Sequence, residues 1–143
     1  MFIGEYNHSV DPKGRLIIPS KFRDVLGDLF MVTKGLDGCL FVFDKNEWDA
    51  FVEKLRTLPI SNIEARKIVR YFLAGAAELE VDKQGRVLLP GTLREFAGIE
   101  KETVLVGVGN RMEIWSKDKW DGTNTYDDVE ELAEHLAEFG FNI

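Results

Sequence analysis

Two arginines and two aspartates stand where this chain could do chemistry. Asp11-Pro12-Lys13-Gly14-Arg15-Leu16-Ile17-Ile18-Pro19 returns as Asp82-Lys83-Gln84-Gly85-Arg86-Val87-Leu88-Leu89-Pro90. Both copies read D-x-x-G-R, three aliphatic residues and Pro, at an offset of 71 residues. A guanidinium fork can take a phosphate, or the O6/N7 edge of guanine, through two parallel hydrogen bonds. An Asp four residues earlier can also tie that fork across its own turn. The two readings are compatible if Asp11 and Asp82 orient Arg15 and Arg86. From spacing alone the structural pairing has a slight edge.

Other chemistries find less support. Asp11 and Asp82 could form a catalytic carboxylate dyad only by sharing a dry site and shifting each other's pKa. Each instead has its own cation four positions on, which favours an ionised structural carboxylate. No phosphate-binding Gly loop, nucleophile elbow or metal-ligand spacing is present. His8, His135 and the single Cys39 cannot assemble a metal site, and one cysteine forms no intrachain disulfide. The expectation is a non-enzyme with no catalytic residue, no metal, no cofactor and no small-molecule substrate. Cys39, beside Leu40-Phe41-Val42-Phe43, reads as a buried core thiol in a reducing cytoplasm.

The repetition extends beyond the loops. Phe22 and Arg23 match Leu93 and Arg94, and Gly27 matches Gly98. A one-residue insertion in the second copy then makes the offset 72, so that Val32-Thr33-Lys34-Gly35 matches Val104-Leu105-Val106-Gly107. Leu40 to Phe43 matches Met112 to Trp115, and Lys45 and Trp48 fall on Lys117 and Trp120. Such a repeat is the unit to be read. At roughly 45 residues it is too small to be comfortably stable alone, so the halves should fold on each other.

Each copy reads as β-β-α-β-β. In the first, strands cover Glu5–Val10, Arg15–Ile18, Leu29–Lys34 and Cys39–Phe43. Pro12 and Gly14 supply the hairpin chemistry. Ser20 is the expected cap of a short helix, Lys21–Leu26, which Gly27 stops. The second copy repeats this order over Glu78–Val81, Arg86–Leu89, Leu93–Ala97, Thr103–Val106 and Met112–Trp115. Between the copies, Asp44-Lys45-Asn46-Glu47 and Ser61-Asn62-Ile63-Glu64 are capping boxes. They open two amphipathic helices, with Trp48, Phe51, Val52, Leu55 and Leu58 on one apolar face and Ile68, Val69, Phe72 and Leu73 on the other. Gly122 to Thr125 reads as a flexible joint. Val129, Leu132, Leu136 and Phe139 give the tail a last amphipathic helix.

Charge tests the nucleic-acid reading. Over 143 residues the net charge is −7, with 45% hydrophobic and 30% charged residues, ordinary for a soluble globular chain. Residues 122–143 carry six acids and no Lys or Arg, so the first 121 residues hold only −1. Lys13, Arg15, Lys21 and Arg23 cluster at the first loop, and Lys83, Arg86 and Arg94 at the second. A phosphate feels such a local face within a Debye length of ~8 Å. Lys13 is about evenly balanced between phosphate contact and plain solvation; Lys21, Arg23, Lys83 and Arg94 lean to solvation. Arg66, Lys67 and Arg70 are expected to face water or a neighbour's carboxylates. No apolar run approaches the ~20 residues of a membrane span, and the first residues lack the pattern of a secretory signal.

Taken together, the two D-x-x-G-R loops, the helical linker, the Trp-bearing helix starts and the opening Met1-Phe2-Ile3-Gly4-Glu5-Tyr6 resemble the MraZ family. These are bacterial DNA-binding regulators of the cell-division and cell-wall gene cluster. The resemblance implies an α+β, mainly β chain in which two AbrB-like units form one double-psi, swapped-hairpin barrel with flanking helices. It implies a first repeat over residues 5–47, a helical linker over 48–75, a second repeat over 76–119 and an acidic helical tail over 120–143. It further implies ring-shaped homo-oligomers, repeated operator boxes on double-stranded DNA, and a cytoplasmic, nucleoid-associated location. Its motif pairs Asp11 with Arg15 and Asp82 with Arg86, which favours DNA contact by at least one of these arginines. Asp11, Gly14, Asp82 and Gly85 are the expected loop-orienting residues, and Lys13, Lys21, Arg23, Lys83 and Arg94 are candidate DNA contacts by their clustering beside the loops. The second loop has Lys83-Gln84 where the first has Pro12-Lys13, so equal shares of binding are not implied. The competing expectation is a structural or protein-interaction module whose paired loops hold a protein.

Overall fold

A computed structural model describes residues 1–143. Its strands are β1 (Phe2–Ser9), β2 (Arg15–Ile17), β3 (Leu29–Lys34), β4 (Leu40–Phe43), β5 (Ala77–Glu80), β6 (Arg86–Leu88), β7 (Glu102–Gly109) and β8 (Met112–Ser116). Helix α1 (Ser20–Leu26) lies between β2 and β3, and α4 (Gly91–Ala97) between β6 and β7. Helices α2 (Lys45–Arg56) and α3 (Ile63–Ala74) link the repeats. Helix α5 (Lys117–Thr123), helix α6 (Val129–His135) and a 3-10 turn (Leu136–Phe139) form the tail.

Six strands make one antiparallel sheet in the order β1-β7-β8-β4-β3-β5, while β2 and β6 pair separately. Exchanging the two repeats reverses the order of the sheet and leaves it otherwise unchanged. The topology is therefore pseudo-twofold. The axis passes between β4 and β8 in the sheet, and between β2 and β6 in the ribbon. Only β3–β4 and β7–β8 pair within a repeat; β1–β7, β3–β5, β4–β8 and β2–β6 all join one repeat to the other. Neither half can complete its hydrogen bonding alone, as the small size of the repeat required.

The expected closed barrel is not formed. β1 and β5 end the six-stranded sheet, and neither pairs with the other. The reason lies in the D-x-x-G-R turns. Each redirects the chain from an edge strand into β2 or β6, which pair over the core as a lid and do not bridge the sheet's edges.

Alternation along the strands sorts two cores. Phe30, Val32, Leu40, Val42, Leu105, Met112 and Ile114 point to one face and meet Leu16, Ile18, Val87 and Leu89 of the ribbon region and Phe22 and Leu93 of α1 and α4. Phe41, Phe43, Val104, Val106 and Trp115 point to the other, against Leu55 and Phe72 of the linker helices. A sheet covered on both faces explains why β4 and β8 are buried along their whole length. Phe51 stacks on Phe43 and Trp48 packs against it at a tilt, so the α2 stripe lies on the sheet.

Several local details differ from expectation. The α1 N-cap is Pro19, with no side-chain cap bond, so Ser20 is already helical. Asn62, not Ser61, caps α3 by accepting from the Ala65 N–H. Asp44, by contrast, caps α2 through the Glu47 N–H as its capping box predicts. Gly122 and Thr123 are helical and not a joint. Ile68 and Leu73 remain partly exposed, as do Val129, Leu132 and Leu136 of the tail, and Phe139 is almost wholly exposed.

Candidate nucleic-acid interface

Each loop is built by one carboxylate. In the first, Asp11 Oδ1 accepts from the Lys13 and Arg15 N–H groups, both at 2.9 Å, and Oδ2 accepts from Arg15 Nε at 2.6 Å. In the second, Asp82 Oδ1 accepts from the Gln84 and Arg86 N–H groups at 2.8 and 2.9 Å, and Oδ2 from Arg86 Nε at 2.9 Å. The backbone closes each turn: Gly14 N–H donates to Asp11 O and Asp11 N–H to Arg15 O, and residues 82–86 repeat the pattern. Gly14 and Gly85 sit at φ +88° and +79°, which only Gly adopts without strain.

This geometry leaves the useful part of each arginine free. Asp takes Nε, so the two Nη groups make no hydrogen bond within the protein. They remain a planar fork held by its root, suited to a phosphate or a guanine edge. Both Asp carboxyls are held below the ordinary carboxylate range. The following Arg's backbone N–H is the largest cause; partial burial opposes it, and the guanidinium and the second N–H reinforce it. They are anions near neutral pH, as the orienting role requires.

The structure also joins the loops through residues whose partners the sequence did not reveal. Arg94 of the second repeat lies over Gly14 of the first loop, where a Cβ would fall 2.9 Å from its Cζ. Arg23 of the first repeat lies over Gly85 of the second loop, where a Cβ would fall 2.8 Å from its Nη1. Their Nε groups donate to Ile18 O and Leu89 O, each within its own repeat. Every loop therefore carries two guanidiniums, one from each half. The signal was the shared P-x-x-φ-R at Pro19 to Arg23 and Pro90 to Arg94, where φ is an apolar residue. The crossing itself requires knowing that β2 pairs with β6.

Lys13, Lys21 and Lys83 are exposed. They and Arg23 and Arg94 form no salt bridge. Arg15 pairs with Leu88, Leu16 with Val87 and Ile17 with Arg86 across the ribbon, so both arginine forks share its outer face. Elsewhere, Cys39 is fully buried, and burial, with the Glu113 charge, pushes its thiol up to about 12. It is no nucleophile near neutral pH. No group of three His, Cys, Asp or Glu side chains is placed to hold a metal, and no helix is long and apolar enough to cross a membrane.

Comparison with known proteins supplies a family frame. The family model described as "MraZ protein, putative antitoxin-like" matches twice, over residues 1–71 and 72–139. A protein of Lachnoclostridium phytofermentans named transcriptional regulator MraZ is 59% identical over 142 residues, 99% of each chain. Namesakes from Caldanaerobacter subterraneus subsp. tengcongensis and Desulforamulus reducens are 55% and 54% identical. These alignments cover 97% and 96% of this chain and 99% of each relative.

Proposed function

The chain belongs to the MraZ family, and we propose that it is a non-enzymatic, sequence-specific DNA-binding transcriptional regulator. The observation that carries this reading is the pair of Asp-anchored arginine forks sharing one outer face of the β2–β6 ribbon. A two-stranded ribbon is of a size to enter the major groove. Arg15 and Arg86 would read base edges or the adjoining backbone. Lys13, Lys83, Lys21 and the cross-packed Arg23 and Arg94 would contact phosphates and set register. The relatives' name supports the regulatory role.

Finer features belong to the same reading. The protein would act in the cytoplasm at the nucleoid, on repeated operator boxes upstream of its own cell-division and cell-wall cluster. A ring of identical copies would present many weak loops at once. Linked sites gain strength through effective concentration, which lets an acidic chain grip a polyanion. Residues 5–47 and 76–119 would be its reading units, and 48–75 and 120–143 its helical linker and tail.

The test is a binding titration of the full chain on duplex from upstream of its own gene, against a shuffled duplex, across a salt series. Log affinity should fall with log salt by roughly 0.9 per phosphate contacted. Arg15→Ala should remove about 1–3 kcal/mol of sequence discrimination while light scattering shows unchanged particle mass. Equal affinity for both duplexes, or binding indifferent to salt, would favour a protein partner for the loops.

A further inference from the structure

The outer face of the β2–β6 ribbon carries more than arginine. Strand alternation turns Leu16 and Val87 inward, where they are 0% and 1% exposed. The same alternation turns Arg15, Ile17, Arg86 and Leu88 outward. Ile17 is 44% exposed and Leu88 59% exposed. Register sets Leu88 directly across from Arg15, and Ile17 directly across from Arg86. The face is thus a square with arginines on one diagonal and branched aliphatics on the other.

An exposed aliphatic residue is ordinary when it stands alone. Three observations set this pair apart. The two are related by the pseudo-twofold that relates the arginines. Each has a guanidinium as its opposite neighbour, at a typical cross-strand Cβ separation of about 5 Å. And both keep about half of their surface open to solvent although their strand neighbours Leu16 and Val87 are buried. A face made only to attract phosphate would have no use for branched aliphatics between its cations.

Major-groove chemistry supplies a use. Guanine offers O6 and N7 to a guanidinium fork, and thymine offers the one apolar group on the groove floor, its C5-methyl. Adjacent base pairs are separated by about 3.4 Å, and the aliphatic residue opposite each arginine stands about 5 Å away across the ribbon, within reach of the next base pair. A ribbon that sets a fork on one base therefore sets its aliphatic neighbour near the next. We propose that Ile17 and Leu88 are specificity-determining residues that read thymine C5-methyl groups beside the bases contacted by Arg86 and Arg15. The inference rests on the DNA-binding reading of the loops and adds the identity of the neighbouring base.

The test uses the full chain and DNA that the protein itself selects from a random duplex pool. The probe is the selected duplex with deoxyuridine at each thymine in turn, which removes only the methyl. Wild-type binding should weaken about fourfold at one or two positions, the loss of one buried methyl-sized contact. Ile17→Ser should bind the thymine and uracil forms equally at one of those positions, and Leu88→Ser at the other. Both variants should keep the wild-type salt slope and circular dichroism. Wild-type indifference to every methyl would overturn the inference, as would full methyl discrimination in both serine variants. Either result would leave DNA binding standing. Failure to enrich any sequence would remove the DNA reading itself, and this inference with it.

Discussion

The carboxylate of Asp11 decides where the Arg15 fork points. One oxygen holds the turn through two backbone N–H groups; the other holds Nε and leaves both Nη groups free. Asp11→Asn keeps an oxygen for the backbone but turns an amide NH2 towards Nε, which has no lone pair to accept it. The turn should persist and the fork should come loose. Specific DNA affinity should fall about tenfold, the scale of one charge-assisted hydrogen bond, with thermal stability near neutral pH little changed. The pH dependence follows from the direction of the shift. A carboxyl depressed in the folded state stabilises above its unfolded pKa of about 3.9, and that stability is lost as pH falls through the lower folded value. The Asp11→Asn, Asp82→Asn double variant should therefore lose stability less steeply than wild type below about pH 4 in acid denaturation. Both carboxylates are solvent-accessible, so the effect is screened and small.

At the scale of elements, a glycine of the second repeat and one of the tail make opposite demands. Gly107 on β7 faces Gly4 on β1, and a Cβ there would lie 2.4 Å from the Phe2 carbonyl carbon and the Ile3 nitrogen. Gly107→Ala has to push β1 off the sheet edge and should cost at least about 1–3 kcal/mol in chemical denaturation. Gly122 sits within α5 with nothing near its missing Cβ, so Gly122→Ala should stabilise by up to about 1 kcal/mol. Equal effects from the two changes would contradict the packing described here. The same contrast shows what was legible beforehand. The D-x-x-G-R turns, the Asp44 cap and the helix stripes are written within a few residues, so spacing reveals them. The strand partners are not local. β1 meets β7 across about a hundred residues, and nothing in Phe2–Ser9 names Glu102–Gly109 as its neighbour. For that reason a closed barrel was expected and an open sheet with a separate ribbon is found. The contacts of Arg23 and Arg94 with the opposite loops were hidden for the same reason, and so was the outward placing of Ile17 and Leu88.

For the whole molecule, the question is how a chain of net charge −7 approaches DNA. The charge is unevenly placed. Helix α6 and the turn after it contribute no residue to either core, and their acids face solvent. Deleting residues 125–143 therefore costs the fold little while bringing the net charge to −1. The tail's field repels duplex from the whole particle and is felt most when salt is low. It opposes non-specific attachment more than specific binding, because base contacts by the ribbon are short-range and are made only once the groove is entered. The truncated chain should bind random duplex several-fold tighter at about 50 mM salt, where the Debye length is on the order of 14 Å. The difference should vanish as salt approaches about 1 M, where that length is ~3 Å. Its discrimination between selected and random sequence should shrink at low salt, while the Arg15→Ala penalty stays as it is in the full chain. Parallel titrations of the two chains on both duplexes decide the matter. If truncation leaves low-salt binding to random DNA unchanged, the tail is no electrostatic guard.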